Sequence, residues 1–95
     1  MSMKKEYERK LQAQLDEWSA EIDKLKAQAE GEKADKKIEY YEQIESLKSM
    51  QSEANEKLTE LQNASDDAWE DLKAGVDNAW DSLGNALTSA KSRFK

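Results

Sequence analysis

The chain contains no cysteine, no histidine and no proline, and glycine occurs only at Gly31, Gly75 and Gly84. Without cysteine there is neither a disulfide framework nor a thiolate nucleophile. Without histidine as well, the usual zinc ligands and the usual near-neutral general base are both missing. The lack of proline and the scarcity of glycine leave few breakers along 95 residues, so strands joined by tight turns are not expected. No apolar run is long enough to span a bilayer. The opening Met1-Ser2-Met3-Lys4-Lys5-Glu6 leads into Tyr7-Glu8-Arg9-Lys10 rather than an apolar stretch, so a secretory signal is not expected and a cytoplasmic location is the default.

What is present is charge. Charged residues make up 38% of the chain, the mean hydropathy is -1.08, and the net charge of -6 with a pI near 4.7 opposes nonspecific binding to nucleic acid. Such a composition suits either long solvated helices or disorder, and periodicity decides for helices.

Two periodic patterns divide the chain. From Leu11, the apolar residues Leu11, Leu15, Trp18, Ile22, Leu25 and Ala29 alternate in steps of four and three, which is a coiled-coil seam. The seam resumes as Tyr40, Ile44, Leu47, Gln51, Ala54, Leu58 and Leu61, with Ile38, Tyr41 and Met50 widening it. Between them, Lys33 and Lys36 occupy positions that should be apolar, beside Gly31. One glycine costs only about 1 kcal/mol in a helix interior, so a continuous helix with a four-residue stutter is expected here, with a turn at Gly31 as the alternative.

At residues 63–67, Asn63-Ala64-Ser65-Asp66-Asp67, the signals change together. Ser65, Asp66 or Asp67 could each cap a new helix, and Asp67 with Glu70 suits a capping box. Acids crowd the start of this helix, and Lys91, Arg93 and Lys95 crowd its end, matching the helix dipole. Ala68-Trp69-Glu70-Asp71-Leu72 recurs eleven residues later as Ala79-Trp80-Asp81-Ser82-Leu83, and again more loosely as Ala90-Lys91-Ser92-Arg93-Phe94. Eleven residues are almost three helical turns, so Ala68, Trp69, Leu72, Val76, Ala79, Trp80, Leu83, Ala86, Leu87, Ala90 and Phe94 share one arc.

These patterns predict an all-α protein with a coiled-coil region over residues 1–63 and an amphipathic helix over 64–95. The first region is read as a long coiled-coil helix or a helical hairpin, with a three-helix bundle as the alternative architecture. Unbroken, the first helix would run about 90 Å and could not cover its own seam, so self-association or binding to another helical protein is expected. The residues assigned to that interaction face are Leu11, Leu15, Trp18, Ile22, Leu25, Tyr40, Ile44, Leu47, Leu58, Leu61, Trp69, Leu72, Val76, Trp80, Leu83, Leu87 and Phe94.

Catalytic chemistry has no foothold in these patterns. Glu39, Glu42 and Glu45 are spaced along one helix, but helical di-metal sites add a histidine to such acids, so neither a metal nor another cofactor is expected. Phosphate-binding loops and nucleophile sets are also missing, and no small-molecule substrate is expected. The aromatic arc allows a second reading, weak contact with a lipid surface, although acids occupy its polar face where interfacial helices usually carry lysine or arginine.

Leu15-Asp16-Glu17-Trp18 with Ala20-Glu21-Ile22-Asp23-Lys24-Leu25, and later Ala68-Trp69-Glu70-Asp71-Leu72-Lys73, resembles small bacterial coiled-coil domain-containing proteins. The resemblance implies an all-helical, nonenzymatic protein and brings no catalytic or binding residues with it. The repeats are similar in composition to those of apolipoproteins and stress-associated amphipathic proteins.

Overall fold

The computed structural model describes residues 3–94, so Lys95, counted above among the terminal bases, lies outside the described residues, as do Met1 and Ser2. Three helices follow one another: α1 (Met3–Glu30), α2 (Ala34–Asn63) and α3 (Trp69–Arg93). Side-chain links give their directions. The Lys4 ammonium at the start of α1 donates to the Ala64 carbonyl just beyond α2, at 2.6 Å, so these helices run antiparallel. Tyr40 near the start of α2 stacks on Phe94 beyond α3, with ring centroids 4.1 Å apart, which makes that pair antiparallel too. Tyr7 meets Trp69 edge-on, so α1 and α3 run parallel.

The result is an all-α three-helix bundle with extents of 51 × 19 × 18 Å. The continuous helix expected through Gly31 is not formed. Backbone N–H groups of Gly31 and Glu32 donate to the carbonyls of Gln28 and Ala29, closing the end of α1 before the chain reverses into α2. The physical reason is burial. A hairpin lets the seam of α1 face the seam of α2, and the lysines that interrupt the pattern fall in and just after the turn, where water reaches Lys33 and Lys36. With α3 added, one chain covers its own apolar faces, which removes the ground on which self-association through the seam was expected.

The core is continuous along the rod. It gathers Leu11, Leu15, Ile22, Leu25 and Ala29 of α1, Tyr40, Ile44, Leu47, Ala54, Leu58 and Leu61 of α2, and Val76, Trp80, Leu83, Leu87 and Ala90 of α3, with Phe94 beyond it. Ile38, read as widening the seam, instead points outward and is 63% exposed.

The start of α3 departs from the expected capping box. The α-helix proper begins at Trp69, and Ala68 before it makes no side-chain cap. Ser65 takes the role one turn earlier: its Oγ accepts from the Ala68 N–H at 3.2 Å, and its carbonyl accepts from Ala68 and Trp69. Serine suits this place because its short hydroxyl reaches a backbone donor three residues ahead.

Candidate interaction surface

Of the residues assigned from sequence to an interaction face, all but three are buried within the chain. Trp18, Trp69 and Leu72 are half-buried at its edges. The structure therefore brings these residues together as a core and leaves the outward surface to other side chains. Two large hydrophobic residues stand exposed on it among the described residues, Met3 at 76% and Ile38 at 63%.

The most structured part of that surface is a groove of about 600 Å³ between the first halves of α1 and α3, lined among others by Tyr7, Lys10, Gln14, Lys73, Asp77 and Trp80. The Tyr7 hydroxyl donates to Asp77 Oδ1. Burial, with that bond and the nearby Asp77 and Asp81 charges, pushes the Tyr7 phenol well above its ordinary pKa, so it stays a neutral donor. Lys73 Nζ lies 5.3 Å from the Tyr7 ring centre and 5.8 Å from that of Trp69, within cation–π range of both. Trp80 carries a buried indole N–H with no acceptor among the described residues, the one buried side-chain donor of this kind there. Sequence reasoning placed Trp80 in the arc but missed Tyr7, which precedes the seam and falls outside its spacing.

A second groove, about 480 Å³, lies between α1 and α2 and is polar, lined by Gln12, Asp16, Ser19, Lys48, Gln51 and Asn55 with Leu15 beneath. Gln51, the polar residue at a seam position, is half-buried at this edge. Its amide can stay in touch with water there, which explains why the seam tolerates it. Glu39, Glu42 and Glu45 are exposed along α2. Among the described residues no cluster of acids is placed to hold a metal ion.

No family model, no curated protein and no solved structure matches this chain. Among the described residues, no helix is long and apolar enough to cross a membrane.

At the far end of the rod, Lys91 Nζ of α3 meets Glu21 Oε2 of α1 at 2.9 Å. The hydrogen bond from Lys91 holds the Glu21 carboxyl below its ordinary pKa. The charges of Lys91 and of Lys24, one turn along α1, act on Glu21 in the same direction. Opposite-signed groups are thereby paired between helices that otherwise touch mainly through α2.

Proposed function

We propose that the chain is a nonenzymatic helical protein-interaction module of the cytoplasm, offering a rigid charged rod to protein partners. The observation that supports this reading is the division of its surface. The aromatic and aliphatic faces are committed to the bundle core, while the outward faces are charged and polar with isolated aliphatic residues at Met3 and Ile38. A surface of that kind suits polar, shape-specific contacts between proteins better than insertion into hydrocarbon. The test joins two measurements on the full chain. A photo-crosslinking residue at Ile38 is expected to capture protein, and the purified protein is expected to stay at the bottom of a flotation gradient with neutral and with anionic liposomes. Cofloating protein with no protein crosslink would overturn the reading.

One observation favours a second reading, a peripheral lipid-surface or stress-protective role for α3. The Trp80 indole N–H lacks an acceptor inside the bundle. At a lipid–water boundary it would find one, because tryptophan settles there with its ring in the apolar layer and its N–H in the wet one. Flotation that is lost in a Trp80→Phe variant of unchanged helicity, which removes that N–H and keeps an aromatic ring in the core, would carry this role.

A further inference from the structure

The bundle is electrically bipolar. One end holds the start of α1, the end of α2 and the start of α3, and there Glu6, Glu60, Asp66, Asp67, Glu70 and Asp71 stand against Lys4 and Lys5. Lys4 is already engaged with the carbonyls of Gln62 and Ala64. The opposite end carries Lys26, Lys33, Lys36, Lys37, Lys91 and Arg93 against Glu30, Glu32 and Asp35. With Lys73, which lies as far from its helix end as Lys26 does, and with Glu21, which pairs with Lys91, six acids against three bases leave three negative charges at the first end, and six bases against four acids leave two positive charges at the second.

Part of this asymmetry serves the helices themselves. A helix terminus is equivalent to roughly half an elementary charge, positive at the N-terminus and negative at the C-terminus. The acidic end contains two N-termini and one C-terminus, so the helices place only about half a positive charge there, and the reverse at the other end. The side chains exceed this compensation several-fold. Each end also carries one of the exposed aliphatic residues: Met3 opens α1 at the acidic end, and Ile38 lies one turn into α2 at the basic end.

Building on the protein-interaction reading, we propose that the partner of these ends is a second copy of the chain, bound head to tail with its basic end on the acidic end. Charge complementarity selects this occupant, since the two ends have opposite signs and each adds an aliphatic contact. Side-by-side association is opposed, because the flanks between the ends carry a net negative charge. Such a contact is heterologous, so it does not close on itself and extends into longer rods. Its size sets its strength. The end of a rod 19 × 18 Å across offers about 340 Å² per copy, well below the ~800 Å² per partner of a stable interface. The contact is therefore weak, with a dissociation constant on the order of millimolar, and is dominated by charges that salt screens.

Sedimentation of the full chain tests this. At low ionic strength the weight-average mass should rise roughly twofold as the chain approaches millimolar concentration, and it should return to the monomer at about 0.5 M salt, where the Debye length is a few ångströms. Two variants then identify the surfaces. Asp66→Lys, Asp67→Lys and Glu70→Lys together make both ends basic, and Lys33→Glu with Lys36→Glu makes both ends acidic; all five side chains are exposed, and circular dichroism verifies that each variant remains helical. Neither should self-associate, and an equimolar mixture should associate as the wild type does. A helical mixture that stays monomeric, or wild-type association that survives high salt, overturns the head-to-tail contact. Crosslinking from Ile38 to an unrelated protein would still carry the module reading, so the two can fail separately.

Discussion

The indole of Trp18 lies against the backbone of Gly84, so that a Cβ at Gly84 would sit 3.3 Å from ring carbon Cζ2 and 3.4 Å from Cη2. Gly84 is thus a contact glycine inside a helix, and the missing side chain is what lets α1 and α3 approach there. Gly75, in the same helix, has nothing within 4 Å of where a Cβ would stand. Gly75→Ala is expected to stabilise the protein by about 1 kcal/mol, the difference in helix propensity. Gly84→Ala gains the same propensity but must displace the half-buried Trp18 ring, so its net gain is expected to be smaller or reversed. Urea unfolding of both variants checks this, and equal stabilisation by the two would show that Trp18 yields freely.

The turn after α1 owes little to the conformational freedom of its glycine. Gly31 does not take the left-handed conformation, and a Cβ there would meet the Gln28 carbonyl oxygen at 3.6 Å, an ordinary contact. Gly31→Ala is therefore expected to keep the hairpin and to change stability by no more than about 1 kcal/mol. Small-angle scattering at high salt should show a particle of unchanged length. A maximum dimension approaching the ~90 Å of a straight helix would mean that the glycine itself makes the turn.

Glu21 and Lys91 give the stability a dependence on acid. Lys91 lowers the Glu21 pKa in the folded state from its ordinary value of 4.5. A depressed folded pKa means that the stabilisation is fully present above the unfolded value and is lost as pH falls through the folded one. Lys91→Gln should thus be less stable than wild type at neutral pH, and the gap should close on acidification from about pH 5 downward. A gap that stays constant through that range would show that the pair contributes nothing.

Lys4 acts as a remote terminus for α2. That helix has no basic residue in its last turn, and the Lys4 ammonium supplies the missing positive charge by donating to the Ala64 and Gln62 carbonyls at 2.6 and 3.3 Å. Lys4→Met keeps most of the aliphatic stem and removes the donor, and is expected to lower stability by about 1 kcal/mol in denaturant unfolding. An unchanged midpoint in this variant would show that the two bonds to the end of α2 contribute nothing.

Trp80→Phe removes an indole N–H that has no acceptor, so it is expected to cost less than its loss of volume implies. The unmet donor accounts for about 1–3 kcal/mol that the substitution relieves, against a cavity term of similar size. A near-neutral change in thermal midpoint is the expected outcome. A loss as large as that of an ordinary core truncation would show that the N–H is satisfied in solution.

Helical character and the buried side of each helix were legible in one dimension, because apolar spacing alone states which residues share a face. Leu11 through Ala29, Tyr40 through Leu61, and Val76 through Phe94 line the core as their spacing required. Ile38 was misread although spacing excludes it: two residues before the buried Tyr40, it stands about 200° around the helix, on the face opposite the seam. Tyr7 escaped notice because its partners, Trp69 and Asp77, are remote in sequence and reach it only once α1 and α3 run parallel. The residues named as an interaction face pack within the chain, and the outward faces carry the charge that the composition led one to expect.

The sequence by itself determined that this chain is helical, which faces are apolar, and where acids and bases fall along it, since each follows from local periodicity and composition. Whether those faces meet in one chain or in two was a tertiary decision. A periodic seam is equally content with any apolar partner, and the interruption at Lys33 and Lys36 is compatible with a stutter or a turn. The bundle chose the turn because antiparallel packing of α1 and α2, closed by α3, covers all three apolar faces within the chain. The same reversal set the ends: it brought bases near Gly31 and at the end of α3 to one pole, and left the acids around Asp66 at the other.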